Sequence, residues 1–348
     1  MPTGSPVVTA CKTDLTGDLK TLKVRGLSAA IVKNGRLVCT AVAGMAGQNQ
    51  PVTPNTLFLW ASVSKTVTAT ALMQLYDQGK IQLDDDINKY LPFQVSIPSC
   101  PNTPVTFRQL LTHTSSIKDN DKVIDSMVTQ GDPTVSLADF VKGYLTPGGR
   151  YYDRNANFEA GCPGTINDYS NMGATTIGYL VETISGTNFY QYTKDNIFTP
   201  LGMTEASFRL ADLNQSQIAL PKGKGSQYGE ANFPDGMLRT SPSHLAKFLI
   251  AYMQGGQYNG KQILKSTTVQ EMLKNQTPLD HTQGLIWYTD TQFNGETTWG
   301  HNGSDTGAAS NMFFDPAKNE GVILVANGDW KGDAPATMKK LFQEADGY

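Results

Sequence analysis

The chain has 348 residues, of which 39% are hydrophobic, and a formal net charge of −3. This length can bury a large core and exceeds that of a typical single domain, so two lobes are expected. Because the sequence has neither a basic, aromatic-rich segment nor a run of about 18 apolar residues, we expect no nucleic-acid partner and no integral membrane segment.

The N-terminal part predicts a β-hairpin. Residues 27–32 and 36–42 are strand-like and flank Asn34-Gly35, a dipeptide that is favoured in two-residue hairpin turns. Residues 1–10 lack the charged and apolar regions of a signal peptide. We therefore expect a mature chain from which a leader has been removed.

Ser62-Val63-Ser64-Lys65 opens a long helical pattern and is the most informative stretch of the chain. Side chains three residues apart lie on one face of a helix, so Lys65 can reach the Ser62 hydroxyl as a base reaches a nucleophile. The apolar positions that follow are Ala69, Leu72, Met73 and Tyr76. They predict an amphipathic helix with Lys65 turned inward, where burial lowers the pKa of an amine and a carboxylate neighbour restores it.

Two further motifs follow in order along the chain. Tyr169-Ser170-Asn171 precedes an apolar segment at 172–181, and His301-Asn302-Gly303 precedes a strand-like run at 311–314. A serine and a lysine at this spacing are common in proteins, usually as a capping serine and a surface lysine. The three motifs together favour a catalytic site.

The remaining pattern suggests how the chain is organised. Residues 95–240 are dominated by helix-like and loop segments, whereas 311–314 and 321–326 are strand-like and should share a sheet with the N-terminal strands. Residues 333–346 predict a closing helix with Asp333 as its cap and Pro335 in its first turn.

With these motifs the chain resembles the serine β-lactamase and penicillin-binding protein superfamily. Within it, the similarity is to the branch of class C β-lactamases, Streptomyces-type D-alanyl-D-alanine carboxypeptidases, D-aminopeptidases and esterases. Ser62/Lys65, Tyr169/Asn171 and His301/Gly303 match the S-x-x-K, Y-x-N and H-x-G motifs. Further similar stretches are residues 84–92, 106–117, 163–165, 201–203 and 235–238.

The resemblance implies a fold of the α/β (α+β) class, in which an antiparallel sheet is flanked by helices and interrupted by an inserted, mainly helical lobe. We expect one discontinuous α/β lobe, formed by residues 1–95 and 241–348, and a helical lobe at 96–240. The active site would lie in the cleft between them.

The resemblance also implies roles for the site residues. Ser62 would be the nucleophile, and Lys65 and Tyr169 would share the proton transfers, in a division that the sequence leaves open. The backbone N–H groups of Ser62 and Ser304 would form the oxyanion hole. The expected substrate-binding residues are Asn171, His301, Asn302 and Gly303. His301 replaces a lysine of many relatives, so its charge should depend on pH near neutrality. At Gly303 a side chain would crowd the substrate.

The four cysteines have neither C-x-x-C spacing nor histidine partners, so we expect no metal site and no cofactor. Four buried thiols or two disulfides are both possible, and the sequence leaves all three pairings open. The resemblance favours Cys11 with Cys39 and Cys100 with Cys162, and hence a periplasmic or secreted protein.

The predicted function is hydrolysis of a small ester, amide or short-peptide substrate, such as a D-amino-acid derivative, through an acyl-enzyme. Asp305, just after the H-x-G motif, would repel a substrate carboxylate if it faced the pocket. D-alanyl-D-alanine carboxypeptidase or class C-type β-lactamase activity is therefore the alternative. A non-catalytic module that binds peptidoglycan or β-lactams is a second one, although such binders usually lose the nucleophile, the lysine or the tyrosine. The sequence leaves the oligomeric state open.

Overall fold

The computed structural model describes residues 8–332 and 334–348. Within them, strands are numbered in chain order. They are β1 (Thr9–Ala10), β2 (Gly26–Lys33), β3 (Arg36–Gly47), β4 (Gln50–Pro51), β5 (Phe58–Leu59), β6 (Val128–Gln130), β7 (Tyr228–Glu230), β8 (Arg239–Thr240), β9 (Gln257–Tyr258), β10 (Lys261–Gln262), β11 (Tyr288–Asp290), β12 (Thr298–Asp305), β13 (Ala308–Asp315) and β14 (Glu320–Ala326).

Helices lie between and after these strands. They are α1 (Thr16–Leu22), α2 (Ser64–Asp77), α3 (Phe107–Leu111), α4 (Asp121–Ser126), α5 (Leu137–Leu145), α6 (Asn171–Ser185), α7 (Phe189–Thr193), α8 (Pro242–Met253), α9 (Ser266–Met272) and α10 (Ala334–Ala345). Among the described residues, no helix has the length and apolar character needed to cross a membrane.

One eight-stranded sheet organises the molecule. Its order is β1-β3-β2-β14-β13-β12-β11, with β4 paired to β3, and every pair except β1 with β3 is antiparallel. The N-terminal strand β2 pairs with the C-terminal strand β14, with Ala29 opposite Leu324. The prediction that the two ends of the chain share a sheet is confirmed. The Asn34-Gly35 turn also forms as predicted, with φ values of 51° and 71°.

Both faces of the sheet are buried. On strand β2, Leu27, Ala29 and Ile31 pack with α10, whereas Ala30 and Val32 on the other face join the core that contains α2 and α8. Successive side chains of a strand point to opposite faces, so each strand supplies both cores. Helix α10 matches the predicted closing helix, and its predicted cap, Asp333, lies outside the described residues.

Helix α2 differs from its prediction. It is not amphipathic, because every residue from Ser64 to Leu75 is buried. Its threonine hydroxyls are satisfied inside the core, since Thr70 Oγ1 donates to Thr66 O at 2.7 Å and Thr68 Oγ1 donates to Pro234 O at 2.5 Å. A central helix that is packed on all sides needs no polar face. The helix is therefore more deeply buried than its apolar positions alone predict.

Both predicted disulfides form. Cys11 is bonded to Cys39 and Cys100 to Cys162. The first joins the segment after β1 to strand β3. The second joins the segment between α2 and α3 to the segment between α5 and α6. The division of the chain into two lobes stays a prediction.

Candidate active site

The candidate nucleophile lies in a tight turn at the start of the central helix. A single 3₁₀ turn at Ala61–Val63 runs directly into α2, and Ser62 is partly exposed within it. Ala61 has φ of +46°, a left-handed conformation that is unfavourable for a residue other than glycine. Trp60 anchors the turn, because its Nε1 donates to Thr240 O at 2.9 Å. Such strain is retained only where surrounding packing enforces it.

Lys65 points from the helix to this serine, as predicted. Its side chain is only 1% exposed. Its Nζ donates to Ser62 Oγ at 3.0 Å, to Asn171 Oδ1 at 2.7 Å and to the backbone oxygen of Asp235 at 2.9 Å. These three acceptors match the three N–H donors of an ammonium group. The structure thus places Lys65 in contact with both Ser62 and Asn171.

The surroundings of Lys65 keep it charged. Burial lowers the pKa of Lys65, but the charges of Tyr169, Asp235 and Asp119 outweigh burial, so its pKa is raised overall. The sequence leaves open whether burial or neighbouring charges dominate, and in the structure the neighbouring charges do. Lys65 is therefore an ammonium group in the resting protein.

Tyr169 lies beside Lys65 and is open to solvent. It is 43% exposed, and Lys65 Nζ lies 4.9 Å from the centroid of its ring. The rings of His113 and His301 lie 4.5 and 6.3 Å from it, centroid to centroid. The phenol thus sits on the exposed side of a buried lysine, where a substrate can reach it.

Asn171 is held at the first turn of helix α6. Its backbone N–H and that of Met172 donate to the Asp119 carboxylate at 2.9 and 2.8 Å. A carboxylate at this position satisfies free N–H groups and interacts favourably with the helix dipole. Asp119 had not been identified from the sequence, because nothing in the local pattern shows that its loop reaches α6.

Strand β12 brings the His301-Asn302-Gly303 motif to the nucleophile. Strand β11 pairs only with Thr298–Gly300, so the edge of β12 is free of that partner beyond Gly300. Burial raises the pKa of Tyr288, and the backbone N–H of Asn302 acts against this rise, so this N–H faces the Tyr288 hydroxyl at this edge. Since N–H directions alternate along a strand, the N–H of Ser304 points to the same edge.

Close packing requires glycine at position 303. A Cβ at this position would lie 2.5 Å from Trp60 O and 2.9 Å from Ser62 N. A side chain would therefore push the strand away from the nucleophile turn. The expectation that a side chain would also crowd the substrate stays a prediction. The same contact shows that Ser62 N lies against β12, one residue from Ser304.

His301 is neutral, contrary to the expectation that it titrates near pH 7. Burial and the charge of Lys65 lower the pKa of His301 to about 3, and its side chain is 2% exposed. Its Nδ1 lies 2.5 Å from Asn302 O. The His301 side chain therefore packs in the interior near Tyr169. The next residue of the motif, Asn302, is exposed.

Several acidic groups lie near Lys65. Burial raises the pKa of Asp235 to about 7, and burial with the charges of Asp305 and Asp235 raises that of Glu230 to about 9. Burial also raises the pKa of Asp305. Buried Arg239 lies among them, and its Nη1 donates to Met237 O at 3.1 Å.

The other candidate residues are structural in their contacts. Ser64 Oγ accepts a hydrogen bond from Leu238 N at 3.1 Å, which ties α2 to the segment that precedes β8.

Within the described part of the chain, Cys11, Cys39 and Glu344 form the group of potential metal ligands, and the disulfide removes both thiolates.

Comparison with known proteins identifies the family of this chain. The Beta-lactamase family model matches residues 13–344. Protein PbpX of Bacillus subtilis (strain 168) is 30% identical over 260 residues, covering 71% of this chain and 60% of PbpX. Protein flp of Staphylococcus aureus (strain MRSA252) is 24% identical over 325 residues, covering 89% of this chain and 61% of flp. The chain thus spans about three fifths of these relatives.

Solved structures share the fold. The octameric penicillin-binding protein homologue from Pyrococcus abyssi is 25% identical with a TM-score of 0.71, covering 94% of this chain and 74% of that one. D-amino acid amidase from Ochrobactrum anthropi SV3 is 23% identical with a TM-score of 0.76, covering 95% of this chain and 94% of that one. The fold is therefore the β-lactamase-like α+β fold that the motifs predicted, and the chain belongs to the beta-lactamase family.

Proposed function

We propose that the protein is a serine hydrolase that forms an acyl-enzyme on Ser62 with small esters or amides. One observation carries the proposal. Buried Lys65 donates to Ser62 Oγ at 3.0 Å, and its Nζ lies 4.9 Å from the ring centroid of the exposed Tyr169. A nucleophile held against a charged amine and a second proton-carrying group is the arrangement that covalent acyl transfer needs.

The steps follow from these contacts. Ser62 Oγ attacks the substrate carbonyl carbon, and its proton passes to the Lys65–Tyr169 pair. The N–H groups of Ser62 and Ser304 stabilise the negative carbonyl oxygen. When the bond to the leaving group breaks, the pair donates the proton to that group and leaves an ester on Ser62. Water then attacks this ester by the same proton transfers, which releases the acid.

We assign the proton acceptor to the Tyr169 oxygen. The raised pKa of Lys65 keeps its Nζ charged, so the amine orients Ser62 and stabilises a phenolate rather than taking the proton first.

The surroundings of the site favour substrates without a carboxylate near the scissile bond. The acidic neighbours of Lys65 are Asp235 and Asp119, and Asp305 is the last residue of β12. Both nearby histidines, His113 and His301, are neutral because burial lowers the pKa of each to about 3. We propose small neutral esters and amides, including amides of D-amino acids, as the substrate class.

Turnover assays test the activity and the preference separately. Wild type should hydrolyse p-nitrophenyl acetate with a burst, and Ser62→Ala should lose both burst and turnover. In Asp305→Asn, kcat/KM for an ester with a negatively charged leaving group should rise by roughly fivefold relative to kcat/KM for an ester with a neutral leaving group. Asp14→Asn, at an exposed aspartate beside α1, is the matched control and should leave this ratio unchanged. An unchanged ratio in Asp305→Asn contradicts the preference alone.

We also propose a periplasmic or secreted location. The two disulfides, Cys11–Cys39 and Cys100–Cys162, support it, because such bonds persist in oxidising compartments. Fractionation of cells that express the protein from its natural gene tests this, and a reduced protein in the cytoplasm would contradict it.

A further inference from the structure

His113 brackets Tyr169 along the chain. Its backbone oxygen accepts a hydrogen bond from Asp168 N at 2.9 Å, and its Nδ1 accepts one from Ser170 N at 3.2 Å. The residues immediately before and after Tyr169 are therefore both bonded to one histidine. Its ring also packs against the ring of Tyr169, with centroids 4.5 Å apart and planes 36° apart.

The protonation state of His113 follows from these contacts. Burial, with the charges of Lys65 and His301, lowers the pKa of His113 to about 3, so the ring is neutral at neutral pH. Since Nδ1 accepts the Ser170 N–H, the ring proton lies on Nε2. Nε2 is buried and has no hydrogen-bond partner in the part of the chain that the structure describes. The ring thus acts through Nδ1 and its face, not as an acid or base.

The loop that carries His113 is held in an unusual conformation. His113 has φ of +56° and Ser116 has φ of +61°, both in the left-handed region. The loop continues to Asp119, which bonds the backbone of Asn171 and Met172. One loop therefore fixes the Tyr169-Ser170-Asn171 motif from both sides, and the backbone strain within it is the kind that surrounding structure must impose.

Tyr169 needs such support. It is 43% exposed, so solvent replaces packing over much of its ring. The oxygen of Tyr169 must nevertheless stay within reach of Lys65 and Ser62 for proton transfer. A displacement of about 1 Å in such a group can reduce a rate by about 100-fold.

We propose that His113 is a positioning residue that holds Tyr169 in its reactive orientation by accepting the Ser170 N–H through Nδ1. This inference rests on the proposed role of Tyr169 in the hydrolase reaction. It assigns His113 no contact with the substrate.

Two substitutions separate the acceptor from the ring. His113→Phe keeps an aromatic ring against Tyr169 and removes the acceptor, whereas His113→Asn keeps an acceptor near the position of Nδ1, removes the ring and tolerates the left-handed φ. We expect kcat/KM for p-nitrophenyl acetate to fall by about 10- to 100-fold in His113→Phe and to stay within about threefold of wild type in His113→Asn.

The separate values of kcat and KM give a readout that a purely structural role would not change. If Tyr169 is displaced from Lys65 and Ser62, proton transfer slows while ester binding is kept, so the loss in His113→Phe should fall on kcat and leave KM within about threefold of wild type. Equal loss in both variants, or a loss in His113→Phe that falls mainly on KM, would overturn the inference. If His113→Phe does not fold, a more than tenfold loss in folded His113→Asn overturns it.

Tyr169→Phe separates this inference from the proposed function. If Tyr169→Phe retains the activity of wild type, the role of Tyr169 is wrong and the inference fails with it. If Tyr169→Phe is inactive while His113→Phe has wild-type kinetics, the function stands and the positioning role of His113 alone is refuted.

Discussion

Gly303→Ala should impair catalysis by separating strand β12 from the nucleophile turn. The added Cβ would lie 2.5 Å from Trp60 O, which is 0.9 Å closer than the 3.4 Å of an ordinary contact. It would also lie 2.9 Å from Ser62 N. Both neighbours are backbone atoms, so the strand or the turn has to move. Overpacking of this kind costs about 1–3 kcal/mol of stability.

The loss of activity should exceed what lost stability explains. The two proposed oxyanion donors lie on opposite sides of this contact, on Ser62 and Ser304. Removal of one oxyanion donor costs about 10²–10³ in rate, so we expect kcat/KM for p-nitrophenyl acetate to fall by about 100-fold below the unfolding temperature. Ester turnover and thermal unfolding should be measured on the same preparations.

Two control variants make this test specific. Gly300→Ala on the same strand overpacks against Met312 and Phe313 instead of the nucleophile turn, so it should lose stability with a smaller loss of kcat/KM. Gly17→Ala lies in helix α1 with nothing within 4 Å of the added Cβ and should be neutral or slightly stabilising. If Gly303→Ala folds and keeps kcat/KM within threefold of wild type, the proposed oxyanion geometry is refuted.

Three further predictions concern charge and protons. Lys65→Met should lower kcat/KM by about 10²–10⁴ while circular dichroism stays native, and a loss below tenfold would contradict the role of Lys65. The pKa of Lys65 is raised above its ordinary value, so Lys65 keeps its charge from about pH 6 to 9 and kcat/KM of wild type should not fall through loss of that charge; a kcat/KM that falls towards pH 9 while the protein stays folded would argue against this. Glu230, whose pKa is about 9 in the folded protein against an ordinary 4.5, keeps a proton that the unfolded chain releases, so wild type loses stability as pH rises through this range. Glu230→Gln does not titrate, so its Tm relative to wild type should increase from about pH 5 to pH 9, and a constant difference would disprove the assignment.

Local spacing predicted the parts of the site that one element supplies. Ser62 and Lys65 lie on one helical stretch, and their separation of three residues determines their contact. The hairpin turn at Asn34-Gly35 and strands β13 and β14 could also be predicted, because turn residues and strand-like composition are local features of the sequence.

Contacts made by loops could not be predicted in this way. His113 and Asp119 reach the Tyr169 motif only because two residues of their loop adopt left-handed φ values, a conformation that no periodic pattern encodes. The charge of His301 depends on how deeply its side chain is buried, which motif matching does not reveal. The complete burial of α2 similarly follows from packing on every side rather than from its own pattern.

Intact-mass spectrometry with peptide mapping tests the central claim most directly. The protein should be incubated separately with a fluorinated phosphonate, benzylpenicillin and a p-nitrophenyl ester, with Ser62→Ala as the control. We predict a phosphonate adduct on Ser62 in wild type and none in Ser62→Ala, with rapid ester turnover and no lasting penicilloyl adduct. A slowly released penicilloyl adduct on Ser62 would place the chain among penicillin-binding peptidases instead. No adduct on Ser62 with any of the three reagents would contradict the proposed catalysis.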